Sequence, residues 1–188
     1  MFQAIYAQPR GWVELQILLF TILWTVLSAT WGRQKPKFWR IGNLALLTAA
    51  VLGVAYATLL RTSAVGHELI LMPGNFVKEA QKQPEVYRSL LMNVYLFVPF
   101  GLTLSAAQSA VGRMPWKSVL LTVLCAAALS CAVETAQYLG GFGRAETDDL
   151  LANALGAFLG ALHVPLGAMI AKRIHDVSDA DTPDADAQ

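Results

Sequence analysis

The sequence predicts an all-α protein built as a polytopic bundle of transmembrane helices. Of its 188 residues, 55% are hydrophobic and 14% are charged, whereas an average soluble domain is about 25% charged. Its apolar stretches are about 20 residues long, the length that a helix needs to cross about 30 Å of hydrocarbon. Because the bilayer core offers no partner to an unpaired backbone group, these stretches must be helical.

Five such spans follow one another along the chain. The first lies between Arg10 and a basic cluster that begins at Arg33. It is longer than the roughly 7–15-residue core of a signal peptide, so we expect it to remain as a helix. We therefore expect a single transmembrane domain over 1–175. We predict the spans at 13–31, 41–60, 89–110, 117–139 and 150–171.

Two segments outside the spans have a different composition. The connection 61–88 contains the helix breakers Pro73 and Pro84 around a short polar run, for which we predict an interfacial helix with Asn75 as a candidate cap. The segment 176–188 contains five aspartates and no aromatic residue. Such a segment cannot bury enough apolar surface to fold, so we predict a disordered acidic tail.

The distribution of basic residues favours an N-terminus outside and a C-terminus inside. In that orientation the inner loops and tail contain eight Lys or Arg residues, and the outer side contains six. The short loop 32–40 holds four of the eight, and short loops weigh most in the positive-inside rule. We therefore expect the connections 61–88 and 140–149 to lie on the outer side.

Polar side chains from three spans are then predicted to meet in one outer layer. At 1.5 Å per residue, Asn93, Glu134 and Gln137 lie about 6, 8 and 3 Å below the outer ends of their spans. Asp149 enters the fifth span from the same side, and Asn153 follows one helical turn deeper. Polar groups are costly at membrane depth, roughly 2.5–3.5 kcal/mol for a charge at a helix centre, so their clustering indicates a functional site.

These polar residues stand in motifs that resemble those of VanZ-like membrane proteins. The motifs are NVYLFVPFG at 93–101, ETAQ at 134–137 and the run from Arg144 to Gly160, so the resemblance covers 93–160. It implies a protein of the bacterial cytoplasmic (inner) membrane and cell envelope, in a family whose founding member is associated with low-level teicoplanin resistance.

The motif positions provide six candidate ligand-binding residues. Arg144 could bind an anionic group such as a lipid phosphate through its planar guanidinium, or it could be an ordinary loop cation. Glu134 could bind a ligand, or it could be a structural residue paired with Arg144 or hydrogen-bonded to Gln137. The candidates are Asn93, Glu134, Gln137, Arg144, Asp149 and Asn153.

The remaining candidates also have structural interpretations. Asn93, Gln137 and Asn153 are of residue types that often join membrane helices through hydrogen bonds. Asp148 or Asp149 could cap the fifth helix, because an aspartate at a helix N-terminus complements the helix dipole.

The motifs of cofactor enzymes and metalloproteins are missing from the sequence. There is no P-loop, no Rossmann glycine pattern, no GxSxG elbow and no Cys/His zinc spacing. His67 lies beside Glu68 without the ligand spacing of a metal site, and we interpret His163 as a structural histidine with satisfied hydrogen bonds. We therefore predict no cofactor and no metal, and the net charge of +1 argues against a nucleic-acid partner.

Three functional hypotheses follow. In the first, the outer polar layer binds an anionic or amphipathic ligand, such as a membrane lipid or a lipid-linked envelope molecule, and alters resistance to lipoglycopeptides. In the second, the protein is a membrane-embedded enzyme acting on a lipid-linked intermediate, with Glu134 or Asp149 as the catalytic acid or base. In the third, it is a structural subunit whose GxxxG face, Gly156 and Gly160, joins a second helix in an oligomer or assembly.

Overall fold

Helices make up most of the computed structural model, which describes residues 11–60, 66–74 and 84–180. The described α-helices are α1 Trp12–Leu27, α2 Pro36–Ala55, α3 Pro84–Ser109, α4 Pro115–Gly140, α5 Thr147–Ala161 and α6 His163–Ala180. Two π-helical turns, Ser28–Gly32 and Tyr56–Leu60, extend the C-terminal ends of α1 and α2.

Five segments of the described chain are long and apolar enough to cross a membrane, which confirms the predicted fold class. They are Glu14–Gly32, Pro36–Leu59, Val86–Ser109, Pro115–Gly140 and Thr147–Arg173. The fifth segment joins α5 to α6, because Leu162 keeps a helical conformation and its N–H donates to the carbonyl of Phe158. The chain is a multi-pass membrane protein.

A short parallel strand pair joins two of the connections between spans. β1 covers Gly66–Ile70, β2 covers Phe142–Glu146, and Glu68 lies opposite Arg144 in the register. The predicted all-α bundle did not include this pair, whose two segments are each five residues long and distant from one another in sequence. The pairing satisfies backbone groups that a loop would leave to solvent. We call this side of the bundle the strand end.

The opposite side of the bundle contains the connection from α1 to α2 and the connection from α3 to α4. Arg33 lies in the first of these connections and Arg113 in the second. Because successive spans run in opposite directions, the C-terminal part of α6 reaches this side as well. We call it the basic end.

Two sequence-based predictions for the connections and the tail have different outcomes. The interfacial helix predicted between 61 and 88 falls mainly on residues 75–83, which lie outside the described residues together with its candidate cap Asn75. The helix α6 continues to Ala180, so it extends past residue 176, where we had placed the start of the acidic tail. A helix that has already formed adds residues at little further cost, so it can continue into a polar sequence.

The centre of the bundle is a direct backbone contact between α3 and α5. A Cβ atom added to Gly156 would overlap the carbonyl of Val94, and one added to Gly160 would overlap the carbonyl of Val98. On the facing helix, a Cβ added to Gly101 would overlap the backbone of α5. Small residues let membrane helices approach this closely, and the contact is stabilised by dispersion and close packing.

Buried apolar side chains from four spans surround this contact. Phe97 and Phe100 of α3 have ring centroids 5.9 Å apart and form the largest part of the cluster. The buried cluster consists of Val54, Phe97, Phe100, Ala126, Val133 and Ala157. By contrast, α1 and α2 expose many large apolar side chains, as expected for helices that face lipid.

The contact between α3 and α5 also shows which helix packs on the GxxxG face. We had considered Gly156 and Gly160 as the face that joins a second helix in an oligomer. In the structure α3 of the same chain fills this face, and both glycines are buried. An oligomer of this protein would therefore need a different surface.

Gly156→Ala should lower the free energy of unfolding, because the new methyl group meets the carbonyl of Val94. The expected loss is about 1–3 kcal/mol, the usual cost of overpacking. The matched control is Gly53→Ala in α2, where no atom lies within 4 Å of the added Cβ. The control should be neutral or stabilising by up to about 1 kcal/mol. Thermal unfolding of the purified variants in detergent measures the difference, and equal stability would contradict the close contact.

Candidate functional site

The polar layer at the strand end begins with a hydrogen bond between α3 and α5. The amide Nδ2 of Asn93 donates to Oδ1 of Asp149 at 2.5 Å. Asp149 lies in the first turn of α5, immediately after β2. Asn93 comes directly before Val94, whose carbonyl touches Gly156. The backbone contact and the hydrogen bond therefore fix the same pair of helices, and a bond to a charged acceptor is stronger than one between neutral groups.

A second hydrogen bond lies one helical turn deeper and joins α4 to α5. The amide Nδ2 of Asn153 donates to the hydroxyl of Ser130 at 2.9 Å, and both side chains are buried. The other amide atom of Asn153, Oδ1, has no hydrogen-bond partner among the described residues. Asn153 thus joins the two helices through its donor.

Glu134 of α4 reaches the strand pair. Its Oε2 accepts a hydrogen bond from the backbone N–H of Glu146, the last residue of β2, at 3.1 Å. The carboxylates of Asp149 and Glu146 lie close enough to Glu134 to interact with it electrostatically. The described side chains around Glu134 are therefore rich in hydrogen-bond acceptors.

Gln137 and Asp148 attach other parts of the chain to this layer. Gln137 Nε2 donates to the backbone carbonyl of Thr58 at 3.0 Å and so joins α4 to the π-helical turn after α2. Asp148 Oδ1 accepts from the N–H of Gly74 at 2.7 Å, and the Asp148 side chain is buried. Asp148, which we had considered as a helix cap, holds the turn that follows β1.

The backbone of Arg144 lies in β2, opposite Glu68. The side chains of Arg144 and His67 lie outside the part of the structure that is described, so the proposed contact of Arg144 with Glu134 or with a ligand remains a prediction. In the described chain, no group of three His, Cys, Asp or Glu side chains is placed to hold a metal ion.

A groove of about 240 Å³ opens beside Glu134 at the strand end. Its apolar walls include Leu71, which follows β1, and Leu150 of α5, and Glu134 lies in its lining. Thr135 and Tyr138 line the groove from the exposed face of α4. Both of these side chains are exposed, so the groove is open on this face of α4.

The predicted site residues thus separate into two groups. Asn93, Gln137 and Asn153 use their amide groups to join helices, whereas Glu134 both binds β2 and lines the groove. Of the predicted residues whose side chains are described, Glu134 is the one that lines the groove.

Sequence reasoning missed several residues that line the groove. Leu71 and Leu150 look like ordinary apolar residues, and only the strand pair brings the first of them beside α4. Cys131 and Tyr138 could have been found, because they lie three and four residues from Glu134 and share one helical face with it. That face is the one that α4 leaves open.

Known proteins provide a comparison for the region that contains this site. Residues 54–168 match the family model described as VanZ/LLP1. The chain is also similar to Protein VanZ of Enterococcus faecium, with 31% identity over 74 residues, which cover 39% of this chain and 42% of that relative. The match therefore spans less than half of the relative. No solved structure matches the chain significantly.

The bond between Ser130 and Asn153 should appear as a coupling energy in a double-mutant cycle. Replacing each residue by Ala, singly and together, should give a coupling of about 0.6–1.7 kcal/mol, as measured for polar pairs between membrane helices. The control cycle pairs Asn153 with Thr122, whose hydroxyl accepts from Gln108, and should be additive within about 0.5 kcal/mol. Chemical unfolding in mixed micelles measures both cycles, and equal couplings would contradict the assigned bond.

Proposed function

The chain belongs to the VanZ/LLP1 family, and we propose that it is an envelope protein whose strand-end groove binds an amphipathic molecule from the outer leaflet. The observation that supports this most is the position of Glu134. It lies in a groove that has apolar walls and opens on the lipid-facing side of α4. A bound molecule would place an apolar chain along Leu71 and Leu150 and its polar head at the carboxylate.

The acceptors around the groove suggest which head group would bind. The two oxygens of a carboxyl group offer several lone-pair sites, and the bond from the Glu146 N–H to Glu134 uses one of them. A head group with hydroxyl or amine donors would complement the others. An anionic group on the same molecule would bind to Arg144, which the resemblance to VanZ-like proteins makes a site residue.

We connect this binding to glycopeptide sensitivity through the family. The founding member is associated with teicoplanin resistance, and teicoplanin-type lipoglycopeptides are themselves amphipathic. A groove that binds such a drug, or the lipid-linked envelope molecule to which it binds, would change how much drug reaches its target.

Filling the groove should abolish protection against a lipoglycopeptide. Thr135→Trp places a large ring in the groove, while Leu139→Trp places the same ring one turn away on an exposed surface outside it. Growth inhibition by teicoplanin is measured in cells that express each variant, and immunoblots check that both variants accumulate in the membrane. Thr135→Trp should be as sensitive as cells without the protein, and Leu139→Trp should resemble wild type. Protection by both variants would contradict the proposal.

The carboxylates near the groove favour one alternative function, an enzyme acting on a lipid-linked envelope or surface-polymer intermediate. Glu134 would be the general acid or base, with Asp149 as the second carboxylate. Glu134→Gln separates the two functions, because it keeps the shape and the acceptor for the Glu146 N–H but cannot transfer the proton. Binding predicts that protection by this variant is retained at least in part. Complete loss, with normal accumulation in the membrane, would support the enzyme.

We propose that the strand end lies outside the cytoplasmic membrane and the basic end inside. Cysteine is introduced at Met72, an exposed residue beyond β1, or at Gln34, an exposed residue of the basic loop, after Cys125 and Cys131 have been replaced by Ala. A membrane-impermeant maleimide should label intact cells with the first cysteine. It should label the second only after permeabilisation. The reverse pattern would contradict the orientation.

A further inference from the structure

A second groove, of about 290 Å³, lies at the basic end of the bundle. It is bordered by the π-helical turn after α1, the first turn of α2, the connection between α3 and α4, and the start of α6. No part of it belongs to the strand-end site. It combines two buried polar side chains, Trp39 and His163, and the half-buried Ser28 with two arginines, Arg33 and Arg113.

Three residues that line this groove each have a buried polar atom with no hydrogen-bond partner among the described residues. The atoms are Oγ of Ser28, Nε1 of Trp39 and Nε2 of His163. Trp39 is 7% exposed and His163 is 0% exposed. Buried polar atoms in proteins are nearly always hydrogen-bonded, so three unpartnered atoms from different helices in one groove indicate a polar ligand.

The hydrogen bond at Nδ1 of His163 determines which kind of group can pair with the other ring nitrogen, Nε2. Its Nδ1 lies 2.9 Å from the carbonyl of Gly160, and a carbonyl only accepts, so Nδ1 bears the hydrogen. In the neutral ring Nε2 is then an acceptor, and it needs a donor from the ligand. Our interpretation of His163 as a fully satisfied structural histidine was therefore right for one nitrogen only.

The indole of Trp39 is held with its N–H in a fixed position. Its ring lies 5.8 Å from that of Trp24 and 6.1 Å from that of Trp31. A Cβ added to Gly32 would lie 3.1 Å from two atoms of the Trp39 indole, so the glycine leaves space for the ring. The donor is therefore oriented before any ligand binds.

The charge of this groove favours an anion. Arg33 and Arg113 line it, and none of the described residues in its lining is a carboxylate. The helices α2 and α4 both begin here, at Pro36 and Pro115, and neither has a side-chain cap. The positive ends of two helix dipoles therefore add to the two guanidinium groups.

We propose that the basic-end groove binds a phosphate group that has a hydroxyl close to it. Phosphate oxygens accept from the Trp39 N–H and from the guanidinium groups of Arg33 and Arg113, which suit phosphate geometry. The neighbouring hydroxyl donates to Nε2 of His163, and Ser28 can donate or accept. Two molecules share this chemistry: the glycerol phosphate head group of phosphatidylglycerol, and protonated inorganic phosphate.

The test measures binding of these two probes to the purified full-length chain. Phosphatidylglycerol is titrated into detergent-solubilised protein and bound lipid is counted by native mass spectrometry, with phosphatidylcholine as the uncharged-head comparison. Inorganic phosphate is titrated separately by calorimetry. Arg33→Gln combined with Arg113→Gln removes both cations from the exposed rim, where folding should be unaffected. The matched control is Lys37→Gln combined with Arg40→Gln, two exposed basic residues outside the groove.

We expect the wild type and the control to bind phosphatidylglycerol more tightly than phosphatidylcholine. The Arg33 and Arg113 variant should bind phosphatidylglycerol at least about tenfold more weakly than the wild type does, because the variant loses bonds between charged groups. Trp39→Phe should weaken binding as well, whereas Trp12→Phe, at an exposed tryptophan at the other end of α1, should not. Saturable binding of phosphate alone, lost in the same variants, supports the site with phosphate as its ligand. If neither probe discriminates the groove variants from their controls, the proposal is overturned.

Discussion

The close backbone contact between α3 and α5 is the constraint on which the rest of the structure depends. Without a side chain at Gly156 or Gly160, the two helices approach until carbonyl groups of α3 touch α5. That approach brings Asn93 within hydrogen-bond distance of Asp149. It also fixes the start of α5, and with it β2, against the neighbouring spans at the strand end. The groove beside Glu134 exists because β2 is held there.

Much of the fold could be predicted from the sequence because membrane insertion is governed by local properties. Length and apolar composition were enough to place the five spans to within a few residues, and motif spacing placed Asn93, Asp149 and Asn153 at one end of the bundle. The strand pair could not be predicted in this way, because β1 and β2 are adjacent only after the helices between them have packed. Sequence spacing also gave no indication that Gln137 would bind a backbone carbonyl at Thr58.

The basic-end groove shows a different reason why sequence reasoning fails. Ser28, Trp39 and His163 come from three separate spans, and none of them stands in a recognisable motif. Their common property, a buried polar atom without a partner, exists only in three dimensions. Ser28, Arg33 and Trp39 also precede residue 54, where the match to the VanZ/LLP1 family begins. This groove therefore uses residues on both sides of the family boundary, whereas Glu134 and the other strand-end candidates lie within the matched region.

The two ends of the bundle have opposite chemistry. The strand end presents carboxylates and hydroxyls, whereas the basic end presents guanidinium groups and an indole N–H. The strand-end arrangement depends on the contact between α3 and α5, which solid-state NMR of isotope-labelled protein in lipid bilayers can observe directly. Our account predicts a through-space correlation between the Cα of Gly156 and the carbonyl carbon of Val94, and another between Nδ2 of Asn93 and the carboxyl carbon of Asp149. Absence of both, with Gly156 correlated only to lipid acyl chains, would contradict it.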